Sequence, residues 1–262
     1  MNAKLHSIYA IFLLAGYTTY THADNSFNSV IPAGATWNYV LAETPQLKTS
    51  PIAQVYDIDG FDNTANVVDI IHSAGAKVIC YISAGTSENW RSDYNKFPSS
   101  VQGKNVDGWK GEKWLDVRQL STLLPIMEAR VAMCQSKGFD AVEFDNVDGY
   151  TNKTGFNISA QDQINYNIAL ANLAHKYNLA AALKNDVAQT NQLEESFDLA
   201  INEQCYQYDE CSSLAPFYKA GKAVLNVEYK KKHINCSDAK KKGISSTYKT
   251  LDLDETPFVP CK

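Results

Sequence analysis

Short stretches with strand character alternate with helical patterns along most of this chain, and that alternation leaves few folds open. Residues 37–41, 55–59, 77–83, 141–146, 180–186, 200–204, 223–229 and 243–249 read as strands. Helical patterns fall between most of them, at 64–74, 121–137, 160–177, 189–196, 212–220 and 236–242. Gly75, Gly138, Gly221 and Gly243 stand where a helix hands over to the next strand, as glycines beyond helix ends do. Strands separated by helices pair in parallel. Eight such units, with no linker or shift in composition, predict one α/β domain over residues 24–262, a closed (β/α)8 TIM-type barrel. Such a barrel needs roughly that length. The rival, a doubly wound sheet, usually carries a Gly-rich phosphate turn, and the sequence has no G-x-G-x-x-G.

Acidic residues gather at the predicted strand ends. Asp57 and Asp59 end the second strand on one face, and Glu143 and Asp145 end the fourth in the same way. Lys184 and Asp186 share a face at the end of the fifth, Glu203 ends the sixth, and Glu228 lies near the end of the seventh. In a barrel these ends converge on the C-terminal rim, where barrel active sites form. Any one acid has a structural explanation: Glu143 can pair with Lys184 inside the barrel, and Asp57 can cap a loop. The whole set does not, because several like charges in one mouth repel. Two carboxylates across a pocket suit glycosidic cleavage, one protonating the leaving oxygen while the other attacks or activates water. The remaining acids suit a substrate that carries positive charge. The third strand is followed by an unusually long loop, 85–119, with Trp90, Trp109 and Trp114. These tryptophans make either a local satellite core or faces for stacking sugars. Tyr56, Tyr81, Tyr150, Tyr206 and Tyr229 lie near the same strand ends and offer hydroxyls and flat faces, or plain packing.

The first segment reads as an export signal: Lys4, an apolar run over 8–16, and Thr21-His22-Ala23 as a small-residue cleavage site. Residues 1–23 are therefore expected to be removed and the chain secreted. Six cysteines then suggest disulfides. They allow 15 connectivities, among which Cys205 with Cys211 could staple one loop and Cys236 with Cys261 could tie down the tail. Cys80 and Cys134 would join the third strand to the following helix, or remain buried thiols. No cysteine pair has zinc-site spacing and the five histidines are scattered, so neither metal nor cofactor is expected. A formal net charge of −5 argues against nucleic acid or an anionic membrane as partner. The basic runs 230–232 and 240–242 read as solvated element ends. A monomer is expected.

The strand-end residues also resemble a known family, the endo-α-1,4-polygalactosaminidases of glycoside hydrolase family 114. The resemblance rests on Val78-Ile79-Cys80-Tyr81-Ile82-Ser83-Ala84-Gly85, on Gly111-Glu112-Lys113-Trp114-Leu115-Asp116, and on Ala141-Val142-Glu143-Phe144-Asp145-Asn146-Val147-Asp148-Gly149-Tyr150. It continues through Leu183-Lys184-Asn185-Asp186, Asn202-Glu203-Gln204-Cys205 and Val227-Glu228-Tyr229. Phe139 and Phe144 are small departures from the family's pattern. The resemblance implies endo-cleavage of an α-1,4-linked galactosamine polymer, which is cationic where de-acetylated. It also implies Asp145 and Glu203 as the catalytic pair. By analogy with other α-retaining barrels, Asp145 would be nucleophile and Glu203 general acid/base. Lys184, Asn185 and Asn146 would orient the acids or bind hydroxyls, with Tyr81 and Trp114 against the sugar. Asp57, Asp59, Asp148 and Glu228 would contact amines. The alternatives are a non-catalytic polysaccharide-binding barrel, a glycosidase of another polymer, and an aldolase acting through Lys184.

Overall fold

The computed structural model describes residues 25–49 and 52–261; the expected export signal lies outside the described residues. The eight expected strands all form: β1 (Trp37–Val40), β2 (Val55–Asp59), β3 (Lys77–Ser83), β4 (Ala141–Asp145), β5 (Ala180–Lys184), β6 (Leu199–Glu203), β7 (Ala223–Glu228) and β8 (Ile244–Tyr248). They pair in parallel in chain order, β1 to β8. Outside them lie α1 (Ala65–Ser73), α2 (Leu120–Ser136), α3 (Ala160–Lys176), α4 (Thr190–Leu193), α5 (Ala215–Lys219) and α6 (Cys236–Lys242). The expected helices at 189–196 and 212–220 are shorter, each divided between an α-turn and a 3₁₀ turn. Gly75, Gly138, Gly221 and Gly243 all adopt the positive φ that lets a helix stop and the chain reverse.

Alternation along the strands builds two separate cores. Val78, Cys80 and Ile82 of β3, with Val142 and Phe144 of β4, face the helices. Ile79 of β3, with Ala141, Ala180, Ala182, Ile201, Leu225 and Val227, fills the barrel interior beside Trp37 and Tyr39. Two large aromatics on β1 and alanines on β4, β5 and β7 share this interior cluster, so bulk on one strand is matched by small residues on others. The outward position of Cys80 places it against α2, where it bonds Cys134. The other two expected disulfides, Cys205–Cys211 and Cys236–Cys261, are also formed.

The barrel is nearly closed rather than zipped all round. A two-residue strand, Val259–Pro260, runs antiparallel to β8 on its outer edge, opposite Thr247 and Tyr248. With the upper part of that edge occupied by the tail, β1 and β8 form no ladder. Side chains cross the seam instead. Trp37 Nε1 donates to the Ser245 carbonyl at 2.8 Å. The buried Lys249 Nζ donates to Asn38 Oδ1 at 2.7 Å. The Cys236–Cys261 bridge ties the end of this tail to α6.

The long segment after β3 is not an irregular loop. Thr86–Glu88, Gln102–Asn105 and Glu112–Leu115 form a small antiparallel sheet with Glu112–Leu115 in the middle. Buried arginines fasten it to the barrel. Arg91 grips Asp59 of β2 through both terminal nitrogens, at 3.0 and 2.5 Å. Arg130 of α2 grips Asp93 at 2.7 and 2.9 Å and the Ser83 carbonyl at 2.6 Å. At the exit from β3, Gly85 lies against the end of β4: a β-carbon there would sit 1.6 Å from the Asn146 carbonyl oxygen. That contact is with backbone, which cannot step aside. We therefore expect Gly85→Ala to cost at least about 2 kcal/mol of stability, measured by denaturant unfolding; a change within experimental error would contradict this packing.

Candidate active site

The three strand ends that carry the implied catalytic pair and Lys184 share one local device. Immediately after Asp145, Lys184 and Glu203 the backbone turns left-handed, with φ of 61° at Asn146, 50° at Asn185 and 64° at Gln204. Asparagine tolerates this region better than most residues. The turn ends each ladder and explains why β4, β5 and β6 stop short of their expected ends at 146, 186 and 204. Non-glycine residues in this conformation store strain and cluster at functional sites. The turned residues are then used. Asn185 Oδ1 accepts from the Glu203 amide at 3.0 Å, and Asn146 Nδ2 donates to Ser83 Oγ at 2.9 Å.

Lys184 organises the barrel mouth. Its side chain is 1% exposed, and its ammonium lies 2.7 Å from Glu143 Oε1, 3.4 Å from Asp145 Oδ1 and 3.6 Å from Glu203 Oε2. It also donates to the Tyr39 hydroxyl at 2.8 Å. Burial alone would push the ammonium down. The Asp145, Glu143 and Glu203 carboxylates outweigh that and hold it well above the ordinary lysine value. A lysine held so firmly protonated is a poor Schiff-base nucleophile, which weighs against the aldolase alternative. Laid end to end, the two longer distances bound the separation of the nearest Asp145 and Glu203 oxygens at about 7 Å, within reach of both glycosidase geometries.

Each of these two carboxylates also has a tyrosine. Tyr81 donates to Asp145 Oδ2 at 2.8 Å, and Tyr229 donates to Glu203 Oε1. Burial, with Asp145 and Glu203 respectively beside them, pushes both phenols well above the usual tyrosine range, so they remain donors. Asp145 is the more enclosed acid, its side chain 18% exposed against 30% for Glu203.

An open cleft of about 830 Å³ lies above this cluster. Asp145, Glu203, Tyr81, Lys184, Asn146, Asn185 and Asp148 line it. Trp114 lines it too, while Trp90 and Trp109 present 49% and 63% of their surfaces at its mouth. The small sheet is thus partly a satellite core and partly an aromatic platform. The cleft continues past Glu203 into a second cavity of about 360 Å³, beside Asp148, Asp186, Glu210 and the exposed Tyr208.

The implied amine-contacting acids separate. Asp57 and Glu228 are wholly buried and do not line the cleft, so neither offers a surface to a sugar. Glu228 instead accepts from the Tyr206 amide at 2.9 Å and from Asn226 Nδ2 at 3.2 Å. Asp59 lines the cleft, but Arg91 and the amides of Phe61 and Asp62 occupy its oxygens. The loop-capping acid is therefore Asp59, not Asp57. Asp148 stays accessible at the junction of the two cavities; burial, then Asp145, pushes its carboxyl up to about 6. Burial also raises Glu112 to about 7 in the cleft wall. The Glu143–Lys184 pair foreseen inside the barrel is present.

Sequence reasoning missed Tyr39, met Glu112 only within a motif of the resemblance without giving it a role in the site, and saw Tyr229 only as one of several tyrosines. Tyr39 shares the inward face of β1 with Trp37, so parity held a signal for it. Glu112 and the Leu251–Leu253 wall of the cleft come from segments whose placement no periodicity encodes. Among the described residues no group of three or more His, Cys, Asp or Glu side chains is placed to hold a metal ion, and no helix is long and apolar enough to cross a membrane.

A parallel barrel whose open mouth gathers two carboxylates around a buried ammonium has an arrangement that suits glycosidic cleavage. The chain belongs to glycoside-hydrolase family GH114, whose family model matches residues 18–261, and it is a glycoside hydrolase. Ega3 of Aspergillus fumigatus, solved in complex with galactosamine, is 36% identical with a TM-score of 0.79, over 86% of this chain and 94% of that one. The glycoside hydrolase domain of PelA from Pseudomonas aeruginosa has a TM-score of 0.65 at 13% identity, over 86% of this chain and 97% of that one. A GH18 chitinase from Pseudoalteromonas aurantia has a TM-score of 0.52 at 9% identity, over 83% and 94%. The last two likenesses are of fold alone. No curated protein matches the chain.

Two outcomes follow from this site. Lys184→Met leaves Glu143, Asp145 and Glu203 without their cation, so we expect a loss of about 3 kcal/mol or more in stability. In whatever fraction folds, kcat/KM should fall at least about a hundredfold. Chemical denaturation and steady-state kinetics on the same preparation would check both. Asp186, ordinarily near 3.8, is held up to about 8 by burial and then by Asp148. The folded chain therefore binds this proton more tightly than the unfolded one. The resulting stabilisation is complete below 3.8 and is lost as pH rises towards 8. Asp186→Asn should gain melting temperature relative to wild type between about pH 5 and about pH 8; parallel pH profiles would contradict it.

Proposed function

We propose that this chain is a secreted, endo-acting hydrolase of an α-1,4-linked galactosamine polymer that retains anomeric configuration. The observation that carries this reading is Lys184, held between Asp145 and Glu203 at 3.4 and 3.6 Å. One cation supports the negative charge of a nucleophile and a base on either side of the same space. Asp145, more enclosed and supported by Tyr81 and Lys184, attacks the anomeric carbon. Glu203, more open to solvent and so able to exchange its proton, protonates the departing glycosidic oxygen. Cleavage leaves a glycosyl ester on Asp145. Glu203 then takes a proton from water, the water oxygen attacks the anomeric carbon, and Asp145 leaves as carboxylate.

A cleft continuing on both sides of Glu203 suits cleavage within a chain rather than at its end. Asp148, Glu112 and Asp62 in the cleft suit a cationic amino sugar. Trp90 and Trp109 suit stacking of successive rings. Kinship with Ega3, solved with galactosamine, supports the same sugar here. Three disulfides accord with secretion.

The test is product release from purified α-1,4-polygalactosamine by wild type, Asp145→Asn and Glu203→Gln, with product anomers followed by NMR. Wild type should give short oligomers of retained configuration, and both folded variants should lose at least about a thousandfold in rate. Inverted products would overturn the nucleophile assignment. An intact polymer, with another polysaccharide cut in its place, would overturn the substrate.

A further inference from the structure

Beneath Lys184 lies a carboxyl that the reaction above does not use. Asp57 of β2 is 0% exposed, and neither of its oxygens accepts a hydrogen bond from any N–H or O–H donor among the described residues. Glu143 of β4 is equally buried. Its Oε1 accepts from Lys184 Nζ at 2.7 Å and from the Tyr39 hydroxyl at 3.1 Å, whereas Oε2 has no such donor. Asp57 pairs in register with Tyr39, whose hydroxyl reaches Glu143 Oε1, so the two carboxyls lie close together with oxygens that no donor serves. Two ionised carboxylates cannot sit so in a dry interior, because nothing would offset their repulsion; one shared proton turns the contact into a hydrogen bond.

The surroundings say which acid holds it. Glu143 already has an ammonium and a phenol hydroxyl on its other oxygen, both of which favour its anion. Asp57 has neither. The charged or titratable groups around the pair are Tyr39 on β1, Tyr81 on β3, Asp145 on β4, Lys184 on β5, Glu203 on β6 and Tyr229 just beyond β7. Of these, Lys184 alone is cationic, and it is committed to Glu143. Burial, followed by Glu143, accordingly pushes Asp57 well above the usual carboxylate range.

We propose that Asp57 is a positioning residue for catalysis: it carries a proton that it donates to Glu143, and the singly charged pair anchors Lys184 midway between Asp145 and Glu203. Without the proton, Glu143 would meet a second anion and swing away or itself become neutral. Lys184 would then lose its 2.7 Å anchor and be drawn towards one of the two acids that it now holds at 3.4 and 3.6 Å. The proposal places Asp57 outside substrate contact, two side chains below the cleft. It rests on the reading of Asp145 and Glu203 as the catalytic pair only for its kinetic consequence.

Infrared spectroscopy tests the proton independently of activity. At neutral pH the wild-type protein should show, beside the bands of other protonated carboxyls such as Asp186, a carbonyl-stretch component that is absent from Asp57→Asn and retained in Asp145→Asn. No difference in that band between wild type and Asp57→Asn would overturn the proposal. Kinetics test the positioning. Asp57→Ala should lower kcat at least about tenfold with KM nearly constant. Asp57→Asn, which keeps an N–H donor towards Glu143, should recover most of that loss. An asparagine variant as impaired as the alanine variant would overturn the positioning role. Should the alanine variant fail to fold, the infrared band still decides. Should wild type leave the galactosamine polymer intact, the functional reading fails while the infrared result stands.

Discussion

A single buried ammonium, Lys184, sets the conditions for everything at the barrel mouth. Glu143, Asp145 and Glu203 all approach it within 3.6 Å. A charge in a low-dielectric interior costs several kcal/mol unless it is paired. Glu143 and Lys184 offset each other's burial, and the ammonium is fixed in place before any substrate arrives. Such preorganisation is what carbohydrate cleavage needs, because charge develops at the anomeric centre and the leaving oxygen over a few ångströms.

The barrel exists to hold that arrangement. β3, β4, β5 and β6 run side by side in parallel, so Tyr81, Asp145, Lys184 and Glu203 reach the same rim from neighbouring strands. Left-handed turns at Asn146, Asn185 and Gln204 end the strands just beyond the functional side chains and bring polar groups back to brace them. The local strain is tolerable because the strands below are locked into a closely packed interior.

Parts far apart in the chain complete the site. The small sheet after β3 supplies Trp90, Trp109, Trp114 and Glu112, and is held down by Arg91 on Asp59 and Arg130 on Asp93. The C-terminal tail fills the upper seam between β8 and β1 and contributes Leu251 and Leu253 to the opposite wall. An acid predicted to meet substrate, Asp59, thus serves to attach the wall that meets it.

The strands, most of the helices and the inward and outward faces were legible in the residues, because a period of two and a period near 3.6 are local properties of the chain. The clustering of acids at strand ends was legible for the same reason: parity and strand position fix which side chains reach the rim. Tertiary structure alone decided which of those acids touch the cleft. Asp57 and Glu228 sit one layer too deep and Asp59 is taken by an arginine from another segment, and depth and partners depend on how strands shift against each other and on what packs above them. The small sheet and the tail strand were equally beyond reach. Their positions are set by contacts between segments remote in sequence, such as Arg91 with Asp59 and Pro260 with Thr247, and no local pattern encodes a partner.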